Sequence, residues 1–260
     1  MRVIFLLTIL LSAASTGYSQ RFADKISQHL DIDYAGTKNP RQALDLYLPN
    51  KPSTTEPLPV ICFIHGGAWR AGNKKAGRNH LAPYVSSGNY AGISIAYRLT
   101  GETHWPAQIH DCKAAIRWIR ANAKTYNLNP EKIAAWGTSA GGHLVAMLGT
   151  SGGIKQLEGE LGPNLQHSSR VSAVVDFFGP SELLTMADHP SRMDHNAPGS
   201  PESMLVGGAL QKTKQTARAA SPVSYVTPDD PPFLIVHGTA DPLVPYPQSQ
   251  TLHRLLKSAN

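Results

Sequence analysis

Cysteine is scarce in this 260-residue chain, which contains only Cys62 and Cys112. Two thiols cannot build a disulfide scaffold or a cysteine-based zinc site. Cys62 stands in a strand-like apolar run and Cys112 in a helix-like stretch, so both are expected as separate buried thiols. Charge is sparse as well: 16% of residues are charged, and no basic run exceeds Lys74-Lys75. The formal charge of +6 is therefore read as solvated surface, and nucleic acid is not expected as a partner. Long apolar runs are missing, because residues 3–11 fall well short of the ~20 needed to cross a bilayer. Glycine, at 22 residues, lies far below the one third of a collagen-like chain. Internal repeats and low-complexity segments are also lacking. A hydrophobic content of 41% excludes a disordered chain, and the length suits one large core.

What is present begins with an address. Arg2 precedes the apolar run of residues 3–11, and small residues such as Gly17 and Ser19 follow. Basic start, short apolar centre and small-residue end together read as a secretory signal peptide over residues 1–19, cut near Ser19 and Gln20. A secreted or periplasmic protein is expected, with no stable membrane anchor and one domain over residues 20–260.

Strand-like and helix-like segments alternate through that domain. Residues 30–36 and 42–48 read as an opening antiparallel pair. Short apolar runs recur at 60–64, 90–97, 133–136, 171–178 and 233–236, and each reads as a buried strand of a mostly parallel central sheet. The clearest helix spans 107–124, with Ile109, Cys112, Ile116 and Ile119 on one face, and Pro130 is expected to close the turn after it. The alternation predicts an α/β fold with helices on both faces of the sheet. Residues 180–230 break the rhythm and are read as an excursion with one or two short helices.

Three post-strand segments carry chemistry. Gly137-Thr138-Ser139-Ala140-Gly141-Gly142 lies between a strand and an apolar helix, the context in which G-x-S-x-G lifts a nucleophilic serine above a sheet edge. The flanking glycines are needed because side chains there would collide with strand or helix. His65-Gly66-Gly67-Ala68-Trp69 follows the strand at 60–64, and its amides can approach a substrate oxygen that becomes negative during acyl transfer. Gly67, Ala68 and Ala140 are the expected oxyanion donors. His65 is read as an organiser of that loop, and Trp69 and Trp105 as core residues or pocket walls. The third segment, His237-Gly238-Thr239-Ala240-Asp241, presents a carboxylate after the strand at 233–236. Asp241 is preferred over its rival Asp176 as the acid that orients an imidazole. Asp111 is expected on a helix surface or anchoring that helix.

This ordered set resembles the α/β-hydrolase superfamily, in particular the hormone-sensitive-lipase-like and bacterial carboxylesterases and feruloyl-esterase-like proteins. Tyr97-Arg98-Leu99, Trp105-Pro106-Ala107, Phe178-Gly179-Pro180 and Ala220-Ser221-Pro222 add to it, and it covers roughly residues 40–257. The resemblance implies an α/β-hydrolase fold and a serine carboxylesterase with Ser139 as nucleophile and Asp241 as acid. It implies no metal and no organic cofactor, and a small-molecule or polysaccharide-linked acyl ester as substrate. It also requires a base histidine after one further strand. Only nineteen residues follow Asp241, whereas a helix, a strand and their loops need roughly 25–35. His253 falls in a helix-like stretch and His143 one turn beyond Ser139, at positions where the resemblance places no base. The expectation is a chain cut before its last strand and its histidine. An arylformamidase or peptidase of the same fold, and a non-catalytic binding protein without the base, are the alternatives.

Overall fold

The computed structural model describes residues 22–259, so the signal-peptide reading of residues 1–19 lies outside the described residues. The apolar runs become strands of one seven-stranded sheet: β1 (Ile26–Asp33), β2 (Ala43–Pro49), β3 (Leu58–Ile64), β4 (Ala91–Ile95), β5 (Leu128–Thr138), β6 (Ala173–Phe177) and β7 (Phe233–Val236). Their order across the sheet is β1-β2-β4-β3-β5-β6-β7. β1 pairs antiparallel with β2, and β2 with β4, while every other neighbouring pair is parallel. The sheet is therefore mixed, and mostly parallel.

Helices cover both faces, but unevenly. α1 (Gly77–Val85) packs on β2, β4 and β3 through Leu81, Ala82 and Val85 against Phe63 and Tyr47. On the opposite face lie α2 (Ala107–Ala121) and α3 (Ala140–Thr150), which share one large core with Cys62, Ile64, Ile93, Ile95, Ile133 and Val174. The strand period of two explains the split: Cys62 and Ile64 face α2 and α3, whereas Phe63 faces α1. α4 (Lys155–Glu158), α5 (Pro201–Val206) and α6 (Lys214–Ala219) are short. α7 (Pro247–Ala259) sets Leu252 and Leu256 against Ala146 of α3. Cys62 and Cys112 are separate, buried free thiols, as their apolar settings require.

Several boundaries differ from the sequence reading for visible reasons. β1 begins earlier and ends at Asp33, whose carboxylate accepts the amides of Ala35, Gly36 and Lys38 and turns the chain. Pro130 does not close a turn but lies inside β5, where the register with β3 shifts between Leu58 and Val60. Such an irregularity tolerates a residue without an amide hydrogen. β7 is not buried on both faces. Phe233 and Ile235 face α3 and α7, while Leu234 and Val236 are exposed on the other side. The excursion of residues 180–230 holds α5, α6 and three short 3-10 turns.

Candidate active site

Parallel register brings three loops to one edge of the sheet. Ile64 pairs with Gly137, Thr138 with Phe177, and Phe177 with Val236, so the chain leaves β3, β5 and β7 at the same edge, with β6 between the last two. Ligands of open α/β sheets collect at such carboxyl edges.

Ser139 occupies the turn between β5 and α3 with φ of 55° and ψ of −121°, a left-handed backbone that a side chain disfavours. The turn is held by the Ser139 amide donating to the Phe177 carbonyl at 2.8 Å and by the His143 amide donating to the Ser139 carbonyl at 2.9 Å. Its glycines are forced by space. A methyl on Gly137 would meet the Gly141 carbonyl oxygen at 2.2 Å, and one on Gly141 would meet the Ile64 carbonyl oxygen at 2.1 Å. The half-buried Ser139 thus stands at the N-terminus of α3, where unpaired amides and the positive end of the helix dipole converge.

The loop after β3 leans on this turn. A methyl added at Gly66 would fall 2.7 Å from the Thr138 carbonyl oxygen and 3.4 Å from the Ser139 Cβ. Gly67 and Ala68 both have positive φ, 112° and 55°, and the Gly67 carbonyl caps a tight turn by accepting the amides of Arg70 and Ala71. The amides of Gly67 and Ala68 enter no loop or cap hydrogen bond among the described residues. With Ala140, the first residue of α3, they remain available to an incoming oxygen.

His65 is buried. Its Nδ1 sits 2.7 Å from the Gly66 carbonyl, its ring stacks on Tyr97, and burial pushes its pKa down to about 4. It organises the loop as a neutral ring. Trp69 is core: its Nε1 donates to Nδ1 of the buried His143 at 3.2 Å, and Trp105 packs edge-on against the same ring. The second nitrogen of His143 faces the Ala220 carbonyl at 2.7 Å, and burial pushes its pKa to about 4 as well. That ring is committed on both sides and is no base for Ser139.

Asp241 follows β7. Its Oδ1 accepts the amides of Leu243 and Val244 at 2.8 and 2.9 Å, and its Oδ2 lies 3.6 Å from His237 Nε2. His237 is structural: Nε2 faces the Val244 carbonyl, Nδ1 faces the Ser249 hydroxyl, and burial lowers its pKa. His253 is exposed on α7. The rival acid Asp176 ends β6 one step inside the edge and is fully buried. Its Oδ1 accepts the Gly179 amide at 2.9 Å, its Oδ2 has no partner, and burial pushes its pKa up to about 7. A methyl on Gly142 would touch that carboxyl at 2.3 Å, so Asp176 supports the first turn of α3 from below.

The model of the BD-FAE family matches residues 44–256, most of the chain, including all three loops. The chain belongs to the BD-FAE family. The BD-FAE chain is 32% identical to Esterase LipC of Mycobacterium tuberculosis, over 85% of its own length and 54% of that protein. It is 31% identical to the probable carboxylic ester hydrolase LipM of the same organism, over 85% of its length and 49% of that protein. It thus spans about half the length of the curated relatives it matches. Among solved structures, a truncated carbohydrate esterase from gut microbiota superposes with a TM-score of 0.82 at 37% identity, covering 90% of this chain and 84% of that one. These neighbours share the α/β-hydrolase architecture.

Sequence reasoning missed one buried polar support of the site loops and misplaced another. Asp111 is not on a helix surface. It is fully buried in α2 and fastens the loop after β4, accepting two guanidinium nitrogens and the amide of Arg98 together with Gln42 Nε2. The reading as a helix anchor stands, because the helix is tied to that loop. Its charge hid this, since an acidic residue on a helix is usually solvated. The missed support is His195, buried in the excursion beside the Asp241 loop, and no local pattern marks it. Among the described residues no three histidine, cysteine or acidic side chains cluster as a metal site requires. No helix among them is long and apolar enough to cross a membrane.

Proposed function

We propose that this BD-FAE protein is a serine carboxylesterase. Ser139 attacks the acyl carbonyl, the amides of Gly67, Ala68 and Ala140 hold the oxyanion, and Asp241 orients the imidazole that takes the serine proton. The acyl-enzyme is then cleaved by water. The observation that carries this reading is Ser139 at positive φ on the N-terminus of α3, with the Gly66 backbone packed against it. Of the histidines weighed as its source, His65, His143 and His237 are engaged elsewhere and His253 faces solvent on α7, which supports an imidazole from outside the described residues. Names of relatives favour esters over amides, and a carbohydrate esterase among the structural neighbours favours acyl groups carried on sugars. Export through residues 1–19 suits such a substrate.

The test is reaction with a fluorophosphonate and with p-nitrophenyl acetate, each compared with Ser139→Ala. Turnover should depend on Ser139 and rise sharply in a protein that supplies the histidine. Loss of a triad histidine lowers kcat on the order of 10⁶-fold, so residues 1–260 alone should be nearly inactive. Substantial Ser139-dependent turnover by residues 1–260 alone would overturn the outside origin of the base. Turnover that survives Ser139→Ala would overturn the nucleophile.

A further inference from the structure

The loop that carries Asp241 is not held by β7 and α7 alone. The excursion reaches across and grips it through one short stretch, residues 191–195. Ser191 Oγ donates to the Pro242 and Leu243 carbonyls at 3.3 and 3.1 Å, and the Arg192 amide donates to Pro242 at 2.8 Å. His195 completes the grip, with Nε2 lying 3.0 Å from the Leu243 carbonyl and 3.1 Å from Ser191 Oγ. On the other side of the ring, Nδ1 lies 3.1 Å from Oε1 of Glu202 on α5, as an ion pair and not an aligned hydrogen bond. His195 and Glu202 are each only 2% exposed, and the second carboxylate oxygen of Glu202 has no partner.

This geometry constrains the proton count. A carbonyl can only accept, and so can an ionised carboxylate, so the ring serves both neighbours only when both nitrogens carry hydrogen. We propose that His195, as an imidazolium paired with Glu202, is a positioning residue that fixes the Asp241 loop in its working conformation. It acts at one remove: the Leu243 carbonyl it grips belongs to the residue whose amide binds Asp241 Oδ1. The inference rests on reading Asp241 as the triad acid.

The charged surroundings agree. Glu202 faces the ring from α5, and its own segment supplies Asp188, His189, Arg192 and Asp194. From the loop side the titratable groups are Asp241, turned toward its own amides and His237, and Tyr246. Burial pulls the His195 pKa down, and Glu202, the Leu243 carbonyl and Asp194 more than offset it, leaving the pKa above the usual histidine value of 6.5. A raised folded-state pKa means that the pairing with Glu202 is complete below the unfolded value and is lost as pH rises through the folded one, leaving the ring a single donor toward Leu243 and no anchor on α5.

The experiment follows the His195 ring by NMR in the full chain from pH 5 to 9, with protection factors for the Leu243 and Val244 amides. The ring should titrate above 6.5, and protection at both amides should fall at least tenfold as it does. His195→Ala should lose that protection at every pH. His195→Gln, which keeps one donor toward Leu243 but cannot pair with Glu202 as a cation, should show the parent's lower, high-pH protection at every pH, with no pH step. Glu202→Gln should move the titration down. Protection that ignores the His195 titration, or a Gln variant protected as fully as the parent is at pH 5, overturns the proposal. Asp241→Asn separates the two readings in protein supplied with its histidine. Full ester turnover in that variant would overturn the acid assignment while leaving the exchange result intact, whereas lost turnover with flat exchange would overturn the grip alone.

Discussion

Gly141→Ala is the sharpest probe of the turn that holds Ser139. An added methyl would lie 2.1 Å from the Ile64 carbonyl oxygen and 2.8 Å from both the Ile64 carbonyl carbon and the His65 carbonyl oxygen. All three are backbone atoms, at the end of β3 and the start of the oxyanion loop, so no side chain can swing away. Either α3 or the loop must move. Overpacking of this kind costs ~1–3 kcal/mol, and rigid backbone on every side puts this case at the upper end. For a domain of this size each kcal/mol lowers Tm by ~2–4 °C, so a drop of about 6–12 °C is expected. Gly101→Ala is the control, because nothing lies within 4 Å of its added methyl and its φ is ordinary. Differential scanning calorimetry of both variants checks the argument. A Gly141→Ala protein that melts with the Gly101→Ala protein would refute it, since the close approach of β3 and α3 would then not exist.

Other perturbations should read equally clearly. Asp111→Asn removes the charge that holds Arg98 while leaving its shape, and Arg98 keeps 24% of its side-chain exposure. Partial access to water puts the cost near the low end for a broken buried pair, about 3 kcal/mol, measurable by urea unfolding. Asp176→Asn should flatten the dependence of stability on pH. The folded carboxyl is pushed up to about 7 from 3.8, so the folded state holds a proton that the unfolded state has released. Stability from this group therefore falls as pH rises between those values, and the asparagine variant should lose that slope in melts from pH 4 to 8.

How much was legible depended on whether the signal was local. The runs at 60–64 and 233–236 became strands because continuous apolar residues leave few alternatives, and the glycine–serine turn announced itself through crowding. β5 outgrew its apolar run because Leu128 pairs with Leu58, a partner seventy residues away. Asp111 and His195 were opaque for the same reason. Each is a polar residue whose burial is justified only by partners that the fold delivers, Arg98 and Gln42 in one case, Glu202 and Leu243 in the other. The uneven cover of the sheet was also invisible. Trp136, Phe177, Leu234 and Val236 share the α1 side of β5 to β7; Trp136 meets His80 and Tyr84 of α1, but Leu234 and Val236 of β7 are exposed, whereas α3 and α7 pack on the opposite face.

The positive φ of Ser139 has a consequence for how such a chain ages once its chemistry is no longer selected. A residue held in this backbone region stores ~1–3 kcal/mol, which glycine would release. Ser139→Gly should therefore melt above the parent protein, while Ser139→Ala, keeping the strain, should not. On the reading of Ser139 as the proposed nucleophile, selection for ester cleavage and selection for persistence pull this one position in opposite directions. On that reading, a lineage freed from catalysis would drift there first, exchanging the strained serine for glycine.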